Sequence, residues 1–481
     1  MAAGNPDTVA AAVTVLRAGG NAFDAAIAAG FAAAATEPGL SSLGGGGFLL
    51  AHHADGPQEL YDFFVDVPGR GRSTADRAPH FTPVTVQFAG VGQVFHAGYG
   101  SVAVPGCLDG YLSAHRALGR LPLVDVVAPA AALARHGVTL THTQATVLQL
   151  LAGILSLTDE GRSLFLPQGR LPGTGDVFRL PQYADTLAEI AAGTIEGFAT
   201  PTLRDRLVAM MAANDGLVGN DDLTSYAPVV REPLVITYRT TRIATNPPPS
   251  FGGSIVTRAL SLFGEGAVLS EPDDLARLVG AVAQATAEQK QQRTAPRSSR
   301  GTTHVSVADG DGNVAAMTTS NGSCSGVFVP GTGIQLNNVM GERDLHPEGF
   351  HVAPPGTRVA SMMAPTVMTG ADGSVTALGS GGSERIRSAL LQVIVNLVDR
   401  EQSPAVAVGS PRVHLDDGTV QAEPGFASAT YDALAHHFAV NVWSQPDLYF
   451  GGTHVVRRDA DGNMSAAGDP RRGGASAVVD L

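Results

Sequence analysis

Residues 301–313 read GTTHVSVADGDGN, and residues 314–322 continue as VAAMTTSNG. The Thr- and Val-rich runs on either side favour pleated strands, and the Asp/Gly/Asn cluster between them is typical of a tight turn. We therefore predict a strand, a turn at Asp309 to Asn313, and a second strand. The first strand would begin at Thr302, directly after Gly301.

The segment before this hairpin has a different character. Residues 287–300, AEQKQQRTAPRSSR, are polar and basic and contain Pro296, which predicts an exposed linker. A hydroxyl is a weak nucleophile unless a base lies beside it, and an N-terminal amine on the same residue can be that base. For Thr302 this requires cleavage after Gly301. Taken alone, TTH at a strand start is ordinary strand sequence.

A second hairpin follows in residues 364–399, APTVMTGADGSVTALGSGGSERIRSALLQVIVNLVD. It predicts a strand, a turn at residues 371–373, a strand, and a helix that begins near Ser383 after Gly381 and Gly382. Residues 6–18 and 21–39 predict two Ala-rich helices, the second with an Asn21–Asp24 capping box. Together these elements indicate an α+β fold with antiparallel sheet flanked by helices.

Charge and composition exclude several classes of function. The 31 basic and 44 acidic residues give a net charge of -13, which argues against a nucleic-acid partner. The lone lysine, Lys290, lies in a polar run, which argues against a Schiff-base lysine, and no Walker A motif is present. Cys107 and Cys324 alone cannot form a CxxC site or a disulfide framework.

Metal and membrane roles find no support either. Asp309, Asp311 and Asn313 match the opening of a calcium loop, but Val314 stands where that loop needs glycine. No residues read as a secretory signal or a membrane span. We expect a soluble cytoplasmic protein without metal or cofactor, acting on a small molecule.

Several separate motifs resemble the γ-glutamyltranspeptidase family of N-terminal nucleophile hydrolases, in the family's order and over nearly the whole chain. They are GGNAFDAAIAA from Gly19, EPGLSSLGGGGFL from Glu37, VPG at 104–106, PPPSFGG from Pro247, GTTHVSVADGDGN from Gly301, GTGIQLNN from Gly331, SMMAPT from Ser361 and GSGGSERI from Gly379.

The resemblance implies a four-layer αββα sandwich that is made as one precursor and cuts itself between Gly301 and Thr302. A large segment, 1–301, ending in the exposed linker, and a small segment, 302–481, would form one interleaved heterodimeric fold. The freed Thr302 would act as nucleophile and base, with Gly381 and Gly382 as the oxyanion hole. Thr319 or Ser320, together with Asn321, would support the nucleophile and hold the substrate.

The resemblance does not extend to the residue that binds the substrate carboxylate in the family. Family members clamp it with an arginine in a D-G-R-E stretch, whereas here Phe64 occupies that place. A carboxylate against phenylalanine loses a charge-assisted pair, which costs several kcal/mol in a dry site. Arg70 or Arg72 could substitute.

Other substrate-binding positions also differ. Glu342 replaces the family's aspartate for the substrate amine, and Met362 replaces one of two paired serines, of which Ser361 remains. The stretch 340–358 is shorter than in members with a lid, so we expect a more open site. The positions that carry catalysis in the family are retained, whereas those that recognise the glutamyl group are changed.

Three hypotheses remain. The first is a self-processing threonine hydrolase or acyltransferase that cleaves an amide, including a γ-glutamyl amide. The second keeps the nucleophile but cleaves a carbon–carbon bond beside a ketone, as some family members from actinobacterial antibiotic pathways do. The third is an uncut, inactive homologue retained as a binding protein.

Overall fold

The computed structural model describes residues 1–73, 80–88, 91–264, 272–292, 301–346 and 349–480. Its helices are α1 (Pro6–Arg17), α2 (Ala22–Thr36), α3 (Cys107–Leu118), α4 (Leu123–His136), α5 (His142–Leu150), α6 (Ala152–Leu155), α7 (Asp159–Phe165), α8 (Pro181–Ala191), α9 (Pro201–Ala213), α10 (Asn220–Ser225), α11 (Phe251–Gly264), α12 (Pro272–Gln292), α13 (Arg385–Val398), α14 (Pro404–Gly409) and α15 (Ser428–His437).

The strands are β1 (Ala2–Ala3), β2 (Gly46–His52), β3 (Gln58–Phe63), β4 (Thr82–Phe88), β5 (Val91–Ala97), β6 (Val138–Thr139), β7 (Val177–Phe178), β8 (Val229–Arg231), β9 (Leu234–Tyr238), β10 (Thr241–Thr245), β11 (Thr302–Ala308), β12 (Val314–Ser320), β13 (Thr366–Thr369), β14 (Val375–Gly381), β15 (Val413–Asp416), β16 (Thr419–Ala422), β17 (Ala439–Val442), β18 (Gly452–Arg458), β19 (Met464–Ala467) and β20 (Ala475–Ser476).

Two antiparallel sheets form the centre of the fold. The first has seven strands in the order β20-β1-β11-β12-β2-β3-β8, and the second has six in the order β19-β18-β14-β13-β10-β9. The two sheets pack face to face where β11 of the first contacts β14 of the second. Helix α2 packs on the outer side of the first sheet, and α11 and α13 pack on the outer side of the second. This is the predicted αββα sandwich, and both predicted hairpins are present as β11–β12 and β13–β14.

Alternation along β11 separates two environments, because successive strand residues point to opposite faces. Val305 and Val307 belong to the hydrophobic core that α1 and α2 complete. His304 and Ser306 face the second sheet, where His304 lies against Gly379 and the Ser306 hydroxyl donates to the His454 carbonyl at 3.1 Å. Thr302 has the same parity as His304, so the strand sets it between the sheets.

The helix preceding the first sheet starts as predicted. The Asn21 side chain accepts from the backbone of α2, and Asp24 accepts from the Asn21 backbone N–H at 3.1 Å. Asp309 adds a second anion, since its Oδ2 accepts from the Ala22 backbone N–H at 2.9 Å. The Asp309–Asn313 turn therefore caps the helix N-terminus, which explains its aspartate without a metal.

One predicted boundary is wrong. The expected linker at 287–300 is helical through Gln292 as the end of α12, and residues 293–300 lie outside the described part of the chain. The helix expected near Ser383 is present and begins at Arg385, because Gly382 (φ 121°) and Ser383 (φ 56°) have left-handed backbone angles that a helix cannot include. Across the described ranges, no helix is long and apolar enough to cross a membrane.

Replacement of Ala28 by leucine tests the tight packing of α2, in which Ala28 is fully buried. Leucine is nearly as good a helix former as alanine, so helix propensity changes little. The expected loss of about 1–3 kcal/mol of unfolding free energy therefore comes from overpacking. Urea denaturation should show a clearly lower midpoint for Ala28→Leu. For Ala10→Leu, at an exposed position of α1, the unfolding free energy should change by no more than about 0.5 kcal/mol. Equal effects of the two substitutions would contradict this account of the packing.

Candidate active site

Thr302 is buried at the first position of β11, directly opposite Ser320 at the end of β12. Its Oγ1 donates to the Ser320 Oγ at 3.3 Å, and the Ser320 Oγ donates to the Gly301 carbonyl oxygen at 2.5 Å. Ser320 Oγ also accepts from the Gly322 backbone N–H at 3.1 Å. One hydroxyl thus joins the candidate nucleophile to the carbonyl of the peptide bond that precedes it.

The backbone around Thr302 is crowded. A Cβ on Gly301 would collide with the Gly322 carbonyl, so any other residue at 301 would have to displace the chain. A Cβ on Gly381 would overlap the Thr302 carbonyl oxygen, and Gly382 follows with a φ of 121°. Of the two glycines predicted as an oxyanion hole, Gly381 therefore lies against Thr302, whereas Gly382 lies against Gly451 and the Arg472 side chain.

Of the two hydroxyls left open by the sequence, the structure places Ser320 beside Thr302. Thr319 lies opposite Thr303 and has the other parity, with its Oγ1 3.3 Å from the Ser41 Oγ. Asn321 is fully buried, and its Nδ2 donates to the Gln335 Oε1 at 3.3 Å. Its Oδ1 has no hydrogen-bond partner among the described residues.

Glu342 lies next to this turn, as the sequence suggested. The carboxylate is buried, and its Oε1 is the atom that a Cβ on Gly322 would strike, together with the Asn338 Oδ1. That Asn338 oxygen accepts from the Ser323 backbone N–H at 2.7 Å. The Glu342 carboxylate and the Asn338 side chain therefore lie against the turn at Gly322, which follows Asn321.

Phe64 brings no charge to the site. Its ring is buried and stacks on Phe48 with centroids 5.7 Å apart, in the core between the sheets. Sequence analysis did not identify the arginine that lies beside Phe64. This residue, Arg358, donates to the Phe64 carbonyl oxygen at 2.5 Å. Arg358 also forms ion pairs with Asp62 at 3.3 Å and Asp66 at 2.8 Å. Its charge is therefore already matched by two carboxylates.

The two arginines named as substitutes are also engaged elsewhere. The Arg70 guanidinium packs against Gly356, and Arg72 donates to the Gly216 carbonyl at 3.1 Å. Ser361 and Met362 lie against the segment that begins at Ser250. The Ser361 carbonyl accepts from the Ser250 hydroxyl at 2.7 Å, and the Ser361 hydroxyl accepts from the Met363 N–H at 3.0 Å.

A small, mostly apolar cleft opens beside Gly301. Its polar members include Ser323 and Arg472, and its apolar walls are formed by Leu40, Phe95, Val147, Leu150, Leu151 and Leu448. A smaller cavity shares Leu40 and Arg472 with it and is also lined by Glu37. The Arg472 Nη1 donates to the Thr302 carbonyl at 3.3 Å. Sequence reasoning missed this arginine because nothing local marks it.

Buried titratable groups surround Thr302. His304 bonds to Thr318 at 2.8 Å and to Ser306 at 2.9 Å, and burial holds its pKa well below the usual value. Burial raises the pKa of Glu37 to about 7, despite a hydrogen bond with Thr303 and the positive charge of Arg472. Within the described ranges, no group of three or more His, Cys, Asp or Glu side chains is arranged to hold a metal ion.

Comparison with known proteins agrees with this architecture. The chain matches the Gamma-glutamyltranspeptidase family over residues 8–288 and 268–479. It is 32% identical to the "Acylase ACY 1 proenzyme" of Pseudomonas sp. (strain SE83), over 99% of this chain and 92% of that protein. It is 28% identical to the "Glutathione hydrolase proenzyme" of Escherichia coli (strain K12), over 95% and 88% of the two chains.

The crystal structure of the cephalosporin acylase from Bacillus halodurans superimposes with a TM-score of 0.86. It shares 26% identity and covers 100% of this chain and 95% of its own. The fold is thus that of the N-terminal nucleophile hydrolases, and the protein is an enzyme of that class. The chain belongs to the γ-glutamyltranspeptidase family.

Glu37 gives a pH-dependent prediction. Its pKa is raised from 4.5 to about 7, so the folded protein holds a proton that the unfolded chain releases at lower pH. The stability contributed by this proton is complete below about pH 4.5 and is lost as the pH rises through about 7, a change of about 3 kcal/mol. Glu37→Gln, which stays neutral, should therefore gain stability relative to the wild type between pH 5 and pH 8.

Urea unfolding of wild type and Glu37→Gln at pH 5 and at pH 8 measures this difference in stability. Glu189→Gln, on the exposed face of α8, is the matched control and should show the same small effect at both. A Glu37→Gln difference that does not change with pH would show that Glu37 is ionised in the folded protein throughout this range.

Proposed function

We propose that the protein is a self-processing threonine hydrolase or acyltransferase that cleaves amides through an acyl-enzyme. The carrying observation is the contact chain from Thr302 Oγ1 through Ser320 Oγ to the Gly301 carbonyl oxygen. A hydroxyl that donates to this oxygen polarises the carbonyl and would stabilise the negative charge that forms on attack.

Self-cleavage follows from this geometry. The Thr302 Oγ1 adds to the Gly301 carbonyl carbon, and the Gly301–Thr302 C–N bond breaks as the nitrogen takes up a proton. The result is an ester between Gly301 and the threonine side chain and a free amine on Thr302. Water then hydrolyses the ester to a Gly301 carboxylate and the Thr302 hydroxyl. The products are residues 1–301 and 302–481, which stay together because β11 and β12 lie between β1 and β2 of the larger segment.

The processed enzyme would reuse the same atoms. The α-amine of Thr302 takes the proton from its own hydroxyl, which attacks the substrate carbonyl to give a tetrahedral intermediate. The backbone N–H groups of Gly381 and Gly382 are the proposed oxyanion donors, a role supported by the position of Gly381 against Thr302. The amine leaves, and water or a second amine then takes the acyl group.

Substrate recognition is proposed to differ from the family pattern. Phe64, Glu342, Ser361 and Met362 stand at the positions that hold the glutamyl group in the family, with Asn321 beside them. Phe64 is part of the core and Arg358 is already ion-paired, so neither supplies a cation for a glutamyl carboxylate. A glutamyl carboxylate would therefore find no cation at the family's position.

Substitutions of Thr302 test the proposal. Thr302→Ser should still self-cleave, more slowly, whereas the isosteric Thr302→Val should remain one chain, since it lacks the attacking oxygen. Intact mass and Edman degradation should show a new N-terminus at residue 302 in the wild type, and amide hydrolysis should appear only in cleaved protein. A wild-type chain that stays whole on incubation would support an uncut binding protein, and turnover of keto acids but not anilides would support carbon–carbon hydrolysis.

Ser320 and Thr319 form a matched pair on neighbouring positions of β12. Ser320→Ala removes the donor to the Gly301 carbonyl and should slow self-cleavage at least about tenfold, since one donor to a developing oxyanion contributes about 10²–10³. Thr319→Ala, on the other face, should cleave at nearly the wild-type rate. Time courses of the full-length band on denaturing gels measure both rates, and the reverse ranking would assign the supporting hydroxyl to Thr319.

A further inference from the structure

We propose that Arg472 binds a carboxylate of the substrate, so that the enzyme takes amides whose acyl chain ends in a carboxylate beyond a short apolar spacer. This inference deepens the proposed function and rests on it. Arg472 would replace, from the C-terminal end of the chain, the cation that is missing at Phe64.

The first support is a charge that is not matched. Arg471 pairs with Glu423 at 2.6 Å and with Asp469 at 3.2 Å, and Arg412 pairs with Asp469 at 2.7 Å. Glu423 and Asp469 are thus ion-paired with Arg471 and Arg412. Arg472, the next residue, has no carboxylate within 4 Å in the described part of the chain, and its buried Nε has no hydrogen-bond partner there.

The second support is position. Arg472 is half-buried, and it lines both the cleft beside Gly301 and the smaller cavity behind it. Its Nη1 lies 3.3 Å from the Thr302 carbonyl oxygen, so a carboxylate bound to this guanidinium lies only a few bond lengths from the Thr302 hydroxyl. Most other side chains of the cleft are aliphatic, including Leu40 and Val147, and would pack against a short methylene spacer.

The nearest acid in the cavity does not cancel this charge. Glu37 shares the smaller cavity with Arg472 but forms no ion pair with it within 4 Å, and burial raises the pKa of Glu37 to about 7. Burial lowers the pKa of Arg472 only to about 10, so the guanidinium stays charged at neutral pH. A half-buried, charged guanidinium whose Nε has no partner among the described residues is stabilised by a ligand carboxylate.

The test compares matched substrates on processed wild-type enzyme. These are the mono-p-nitroanilides of succinate, glutarate and adipate, each beside the same chain ended by a neutral carboxamide. For the best spacer, kcat/KM should be at least tenfold higher for the carboxylate, as expected for a charged hydrogen-bonded pair. Arg472→Gln should bring this ratio close to one, and Arg472→Lys should keep part of it. Arg135→Gln, an exposed ion-paired arginine of α4, should keep the wild-type ratio.

A binding measurement separates this inference from the proposed function. Calorimetric titration with pentanoate and pentanamide needs no turnover, and wild type should prefer pentanoate while Arg472→Gln should not. If Arg472→Gln fails to self-process, the wild-type ratio and the Arg472→Lys enzyme still decide the kinetic test.

Three results would be decisive against one proposal or the other. Wild type that is cut and active but treats acid and amide alike overturns the role of Arg472 and leaves the hydrolase. An equal loss of kcat on both substrates in Arg472→Gln shows a structural or oxyanion role and also overturns it. Wild type that hydrolyses no anilide, yet binds pentanoate through Arg472, overturns the proposed reaction and supports the carboxylate site.

Discussion

The antiparallel register of β11 with β12 is the constraint on which the site depends, because it sets Thr302 opposite Ser320. Side chains alternate between faces, so a slip of one residue would turn Thr302 toward the helices and bring Thr303 between the sheets. The two faces of β11 hold this register: Val305 and Val307 are buried under α2, and the polar side chains of His304 and Ser306 have their hydrogen-bond partners on the other side.

The space between the sheets is polar near Thr302 and apolar further away. Burying a polar group without a partner costs about 1–3 kcal/mol, so such a layer is stable only when its members bond to one another. His304 satisfies both ring nitrogens through Thr318 and Ser306, and low pKa values keep it and His454 neutral. These two histidines therefore help to hold the strands in place without adding charge beside Thr302.

Features fixed by local sequence were predictable. The hairpins, the Asn21–Asp24 cap and the glycines at 381 and 382 follow from turn residues and strand patterns within about ten positions. The choice between Thr319 and Ser320 was not, because parity on β12 has no meaning until the partner strand and its register are known. The sequence also could not show that residues 287–292 continue α12, since their Glu, Gln and Lys side chains suit both a helix and a linker.

Arg472 shows most clearly what local patterns miss. It lies 170 positions from Thr302, in a turn that β18, β19 and the Asp469 carboxylate hold against the end of β14. The proposed reacting groups come from strand ends and backbone that the two sheets fix, whereas the proposed substrate-binding charge of Arg472 comes from a separate turn. If Arg472 supplies the charge that is absent at Phe64, as proposed, the Thr302–Ser320 pair is left in place. This separation explains how one fold can keep its chemistry and change the part of the substrate that it recognises.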